Sequence, residues 1–227
     1  TDMTNPYNAV KLHELDLAAA SAGLELVCCN TYHQPDRETR CLEMALSCRY
    51  FAAVFLYPPD APAAVSRISR QMPVIAICDK NAAPAIDLIE LNNRQAGRIA
   101  AEHLLSLGHR RIAYIGGSGL SRNIKTSRRY WGYRSVIEAA GLPVDDALVR
   151  DCLWDELICI EQVKAIMALP ADRRPTAIFC GSDLMAIAAL SGLYSLHIQI
   201  PNEVAVIGLS DIELSQVSCP PLSTIHV

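Results

Sequence analysis

The stretch PTAIFCGSDLMAIAALSGLYSLHIQIPNEVAVIGLSD, Pro175–Asp211, reads as strand, helix and strand in direct succession. TAIFC and VAVIGL are short apolar runs carrying β-branched and aromatic side chains, and Asp183–Leu196 between them has the length and spacing of a helix. Two strands joined by a crossover helix pair in parallel. The polar corner Gly181-Ser182-Asp183 then falls where a strand ends and a helix starts, the edge of an open α/β sheet that meets ligands. It also has a local reading, in which Ser182 caps the helix and Asp183 is a first-turn carboxylate suited to the helix dipole.

The same alternation extends outward from this unit. The runs LELVCC, AAVFLY, PVIAIC and RIAYIGG predict further strands, and helices are expected at His13–Ala22, Arg37–Ser47, Ala63–Arg70, Gln95–Leu107, Arg129–Ala140 and Leu157–Leu169. Gly23, Gly108 and Gly141 stand where helix ends need a left-handed residue. The pattern weakens over Asp79–Asn93, where a crossover between lobes is expected. A strand is expected ahead of the first helix, and the closing run PPLSTIHV is extended and apolar, so the sequence reads as cut at both ends. The resulting expectation is an α/β protein of two parallel-sheet lobes, 1–91 and 92–221, with 222–227 beginning a return crossover.

Composition narrows the function classes. At 227 residues, 51% hydrophobic and 19% charged, the chain can fill two modest cores. A formal charge of −4 argues against a general nucleic-acid surface, which needs clustered Lys and Arg. No run approaches the ~20 apolar residues of a membrane span, and the start lacks the basic and apolar regions of a signal peptide. The sequence therefore reads as soluble and cytoplasmic. Nine cysteines without a C-x-x-C pair read as reduced thiols, several of them in apolar runs, rather than as a disulfide framework or a zinc site. No metal or cofactor is expected.

Three blocks in series carry a specific resemblance: NNRQAGRIAAEHLLSLGHRRIAYIGG (Asn92–Gly117), RRYWGYRSVIEAAGL (Arg128–Leu142) and the long run Arg174–Ile225. In order and spacing they resemble the effector-binding core of the lactose-repressor (LacI/GalR) family of transcription regulators. The resemblance implies a fold similar to type I periplasmic sugar-binding proteins, two α/β lobes around a cleft that holds a small ligand. It also implies a helix-turn-helix headpiece, absent from this sequence, that binds operator DNA as a dimer. The dimer is expected to form through Leu12–Ala19 and Asp183–Leu196, whose apolar residues could instead all be core.

The resemblance brings candidate ligand residues with it. Arg129, in the pattern Arg129-x-x-Gly132-Tyr133, falls on an arginine that meets ligands in relatives, and its planar fork suits vicinal hydroxyls or a carboxylate. Trp154 falls on a stacking aromatic, with a one-residue slip placing Leu153 there instead; an indole face packs on a sugar ring or a base. Asp79 directly follows a strand and could accept hydroxyl hydrogen bonds. Tyr7 and Asn8 match positions lining the ligand from the first lobe. Ser182 and Ser210 replace the Asn and Asp that many relatives carry, which keeps a hydroxyl and removes an amide or a charge. Each also has a bland alternative: a surface Arg, a lobe-edge Trp, a turn Asp, a helix-start Asn, a capping Ser.

Catalysis has little support. There is no G-x-S-x-G elbow, no phosphate-cradling GxxxxGK[ST] and no HExxH, and the Gly116–Gly119 turn lacks a dinucleotide continuation. The reading that follows is a sensor core for a sugar or sugar derivative. The runner-up is a periplasmic sugar-binding component of a transporter.

Overall fold

The computed structural model describes residues 5–77, 86–118 and 123–227, and the chain divides into two compact units, Thr1–Leu91 and Asn92–Val227. Asp79 lies outside the described residues. Every strand pair in both sheets is parallel, which makes the protein mixed α/β.

The first unit runs α1 (Pro6–Ser21), α2 (Pro35–Ser47), β1 (Ala53–Phe55), α3 (Pro62–Ile68), β2 (Val74–Ile77) and β3 (Asp87–Ile89), with strand order β1-β2-β3. All three helices start on a proline, whose fixed φ and missing N–H suit the first helical position. This places the start of α1 well ahead of the expected His13, because Asn5 caps it by accepting the Tyr7 N–H at 3.0 Å. A small core of Leu42, Val65, Ile68 and Val74 joins α2 and α3 to the sheet.

Two expectations for this unit are corrected. The run LELVCC is extended but belongs to no strand. A cavity of about 570 Å³ has Leu24–Cys29 on one wall and Ala53–Leu56 on another, so the run has no ladder partner, and apolar alternation cannot make a strand without one. Within the expected polar crossover, Asp87–Ile89 pairs with β2 as a third strand. It was hidden because an edge strand of three residues carries almost no periodic signal.

The second unit runs α4 (Asn93–Ser106), β4 (Ile112–Gly116), α5 (Arg128–Ala139), β5 (Val149–Asp151), α6 (Glu156–Met167), β6 (Ala177–Cys180), α7 (Asp183–Ser195), β7 (Ala205–Leu209), α8 (Glu213–Val217) and β8 (Ser223–Ile225). The strand order is β5-β4-β6-β7-β8. Both faces of this sheet are covered, which is why its strands read as continuous apolar runs. Along β6, Ile178 and Cys180 join a core with α6 and α7, while Ala177 and Phe179 face a core with Tyr130 and Tyr133 of α5. Gly108 and Gly141 follow α4 and α5 at φ +91° and +71°, the left-handed stops expected of them. Residues 222–227, expected to begin a return crossover, contribute β8 to this sheet. The short β5 and α8 had no distinct signature in the sequence. Among the described residues no helix is long and apolar enough to cross a membrane.

Candidate ligand-binding site

Parallel pairing puts the C-terminal ends of β4, β5, β6 and β7 on one edge of the second sheet. The residues that follow these ends are Gly117-Ser118, Cys152–Trp154, Gly181-Ser182 and Ser210-Asp211.

Arg129 reaches this edge because α4 and α5 touch backbone to backbone. A Cβ on Gly97 would stand 2.1 Å from the Arg129 carbonyl oxygen, and one on Gly132 would stand 2.1 Å from that of Arg94. Only glycine permits that approach, and it brings the first turn of α5 beside the first turn of α4. Arg129 Nε then donates to Asn93 Oδ1 at 2.7 Å, and Nη1 donates to the Gly181 carbonyl. Its guanidinium carbon lies 5.9 Å from the centre of the Trp154 ring, within cation–π range. The guanidinium is thus fixed at the end of β6 by groups from two other elements.

Trp154 is held by a strained turn. Leu153 and Trp154 have φ of +54° and +60°, a conformation that side chains with a Cβ rarely adopt. Asp151 supports the turn: its Oδ1 accepts the Leu153 N–H at 3.0 Å and the Ser118 N–H at 3.1 Å, tying the end of β5 to the end of β4. Asp155 then caps α6 by accepting the Ile158 N–H at 2.9 Å. The indole lies on Gly117, where a Cβ would meet ring atoms at 2.4 Å, and its far edge reaches the position of a Gly181 Cβ at 3.5 Å. It remains 40% exposed. The alternative Leu153, beside it in the same turn, is more exposed.

The two serines differ in availability. Ser182 caps α7, its hydroxyl oxygen accepting the Met185 N–H at 3.4 Å, which leaves its proton for another acceptor. Ser210 is 9% exposed and has φ +130°; its N–H donates to the Ile225 carbonyl, and among the described residues its hydroxyl makes no hydrogen bond. Asp183 stands in the first turn of α7, as its position in the sequence suggests, and its carboxylate is turned into the unit. It is buried, with Oδ2 accepting the Ile212 N–H at 2.9 Å and Oδ1 accepting the Thr224 hydroxyl at 2.6 Å. Burial raises its pKa above the ordinary 3.8, while these two hydrogen bonds pull it down. Beneath the site, burial pushes the Tyr114 phenol up to about 12, so it stays protonated at neutral pH.

The first-unit candidates sit at the start of α1. Asn8 is fully buried and donates through Nδ2 to the Tyr57 phenol at 2.6 Å, and the Lys11 ammonium lies 4.2 Å from the centre of the Tyr7 ring. Within the second unit, the structure brings Arg129, Trp154 and the Gly181-Ser182 corner together and puts Ser210 on the same sheet edge. It adds Asn93 and Asp151, which sequence reasoning missed. The signal for Asp151 was available as a carboxylate closing the short run LVRD, but that run is too short to be recognised as a strand. Among the described residues no cluster of three or more His, Cys, Asp or Glu side chains could hold a metal ion.

Comparison with known proteins agrees with this architecture. The family described as a periplasmic binding protein-like domain matches residues 101–227. The ribose operon repressor of Escherichia coli K12 is 30% identical over 229 residues, covering 100% of this chain and 68% of that protein. The transcriptional regulator DegA of Bacillus subtilis is 29% identical, covering 99% and 66%. This chain therefore spans about two thirds of the length of these relatives. A LacI-family regulator from Lactobacillus casei, solved with bound glucose, superposes with a TM-score of 0.85 at 25% identity, over 100% of this chain and 84% of that one. By these matches, and by the parallel-sheet unit that underlies them, the chain belongs to the LacI family of transcription regulators and contains its periplasmic binding protein-like domain.

Proposed function

We propose that this chain is the effector-sensing core of a transcription repressor, and that it recognises a sugar or sugar derivative. The observation carrying this reading is Arg129, whose guanidinium is pre-positioned by Asn93 and Gly181 next to the half-exposed Trp154. A fixed fork of donors beside an apolar ring is the pairing that a pyranose or furanose needs, hydroxyls on its rim and C–H groups on its face. The Ser210 hydroxyl adds a polar group at the same edge, and Ser182 can donate one hydrogen bond. Support also comes from a relative that is a ribose operon repressor and a similar structure that holds glucose. Tyr7 and Asn8 enter through the family resemblance.

Effector binding in this reading shifts a conformational equilibrium that changes operator affinity in a helix-turn-helix headpiece, which is a coupling between two states rather than a contact with DNA. The protein works in the cytoplasm, as a homodimer, without catalysis. The α1 helix suits the dimer contact, since Val10 and Leu17 are about half exposed. Most of the apolar residues of α7 are already buried in their own unit. The named relatives are transcription regulators, which favours this reading over a transporter component.

Calorimetric titration with D-ribose, D-glucose and sucrose tests the proposal. Saturable binding is expected for at least one of them, with Arg129→Ala weakening it at least tenfold. No binding by the folded protein, or unchanged affinity in Arg129→Ala, overturns it.

A further inference from the structure

Residues 152–155 form a turn that their own sequence does not favour. The Asp155 N–H donates to the Cys152 carbonyl at 2.8 Å, and φ is positive at both central residues, Leu153 and Trp154. This is the pattern of a type I′ turn, whose central positions are dominated by Gly, Asn and Asp. A leucine and a tryptophan keep it only where the surroundings hold them there. The strand ladder gives little help, because β5 is a three-residue edge strand whose last paired residue is Asp151, opposite Gly116.

One oxygen supplies the hold. Asp151 Oδ1 accepts the Leu153 N–H at 3.0 Å, inside the turn that carries the indole. It also accepts the Ser118 N–H at 3.1 Å, and Ser118 is next to Gly117, on which the indole lies. The carrier of the ring and the seat of the ring are thus pinned to the same atom. Without that oxygen two backbone N–H groups lose their acceptor, and the turn relaxes towards forms that Leu and Trp adopt more readily.

We propose that Asp151 is a positioning residue for effector recognition, acting through Trp154 and not by touching the ligand. The Arg129 guanidinium is held separately, by Asn93 and Gly181. The 5.9 Å between that guanidinium and the indole therefore depends on the turn, and Asp151 sets the spacing between the stacking face and the fork of donors. The effect on affinity rests on the sugar reading above, whereas the hold on the indole does not.

The test reads the indole first, by acrylamide quenching of Trp154 in a Trp131→Phe background. In Asp151→Ala the quenching constant is expected to rise about twofold, as the ring leaves its 40% exposure. Asp151→Glu keeps the charge but displaces the oxygen, and should behave like Asp151→Ala. Asp151→Asn keeps the oxygen without the charge, and should quench as the parent does. Calorimetry with D-ribose, D-glucose and sucrose then reads affinity. Asp151→Ala is expected to weaken the sugar that binds by about tenfold in the wild type, but by less than about twofold in a Trp154→Ala background, where the ring it positions is gone. Unchanged quenching in Asp151→Ala and Asp151→Glu, or an equal rise in Asp151→Asn, overturns the proposal, as does an equal loss of affinity in both backgrounds. If none of the three sugars binds, the sugar reading falls and the quenching series still decides whether Asp151 holds the indole.

Discussion

The Asp183 carboxylate and the Thr224 hydroxyl meet at 2.6 Å, joining the first turn of α7 to the middle of β8 across 41 residues of sequence. The neighbouring Gly208 makes room, since a Cβ there would stand 2.2 Å from Asp183 Oδ1. Through its other oxygen the same carboxylate holds Ile212. The Thr224 oxygen accepts the Asp211 N–H at 3.2 Å. Asp183 therefore fixes the turn after β7 that carries Ser210, and its work is positional.

Replacing Asp183 by Asn is expected to lower stability by about 1–3 kcal/mol, because the amide places a donor opposite either Ile212 N–H or the Thr224 hydroxyl in a buried site. The pH dependence follows from the raised pKa. Between the ordinary 3.8 and the raised folded value, the folded state binds the proton that the unfolded state has released. Wild-type stability therefore gains from this group as pH falls through the folded pKa, and loses that gain as pH rises. Urea unfolding of wild type and Asp183→Asn in parallel should show the difference widening in favour of wild type as pH is lowered from 7 towards about 4. A constant difference would show that burial does not raise this carboxyl.

The α4–α5 crossing is tested at its two glycines. Alanine at either Gly97 or Gly132 pushes a methyl against a backbone carbonyl that cannot rotate away. A cost of about 1–3 kcal/mol is expected for each, in line with overpacked interiors. Since the same crossing delivers Arg129 to Asn93, either variant should also bind the effector more weakly than its loss of stability explains. Circular dichroism melts read the first effect and calorimetry the second.

How far this arrangement was legible depends on where its causes lie in the chain. The strands β4, β6 and β7 could be read because both faces are buried and the apolar runs are continuous. The helix stops at Gly108 and Gly141 could be read because a left-handed turn needs glycine. LELVCC carries the same apolar signal as the true strands, yet pairing is a property of neighbours and not of the run itself. Asp183 could be read as a first-turn carboxylate, but its burial could not, since that depends on Thr224 and Gly208, far away in sequence. Arg129 could be nominated from its motif, but Asn93, 36 residues earlier, became visible only once the two helices crossed.

Trp154 provides an optical test of the proposed site, because the chain has two tryptophans and the other, Trp131, can be removed. Trp131 is 47% exposed and lies under Arg134 at 5.3 Å, so Trp131→Phe should leave the fold intact. In that variant the emission of Trp154 is expected to shift or quench when effector displaces water from its face. In Trp154→Phe the remaining signal of Trp131 should not respond, and affinity should fall several-fold with the lost stacking area. An equal response from both variants would place the ligand away from the Trp154 face.

Ser210 separates stability from recognition. Its φ of +130° is open to glycine and strained for serine, a cost on the order of 1–3 kcal/mol in such regions. Glycine at this position removes the strain but gives back part of the gain as unfolded-chain entropy, so Ser210→Gly is expected to stabilise the chain by about 1 kcal/mol. The hydroxyl is lost with the side chain, and effector affinity should fall by about tenfold if it bonds a ligand hydroxyl, the equivalent of roughly 1.4 kcal/mol. Ser210→Ala separates the two effects, since it loses the hydroxyl and keeps the strain. Denaturant unfolding and calorimetry on the pair should therefore give matched affinity losses with opposed stabilities. Affinity equal to wild type in both would show that the strain at Ser210 serves the backbone turn and not the ligand.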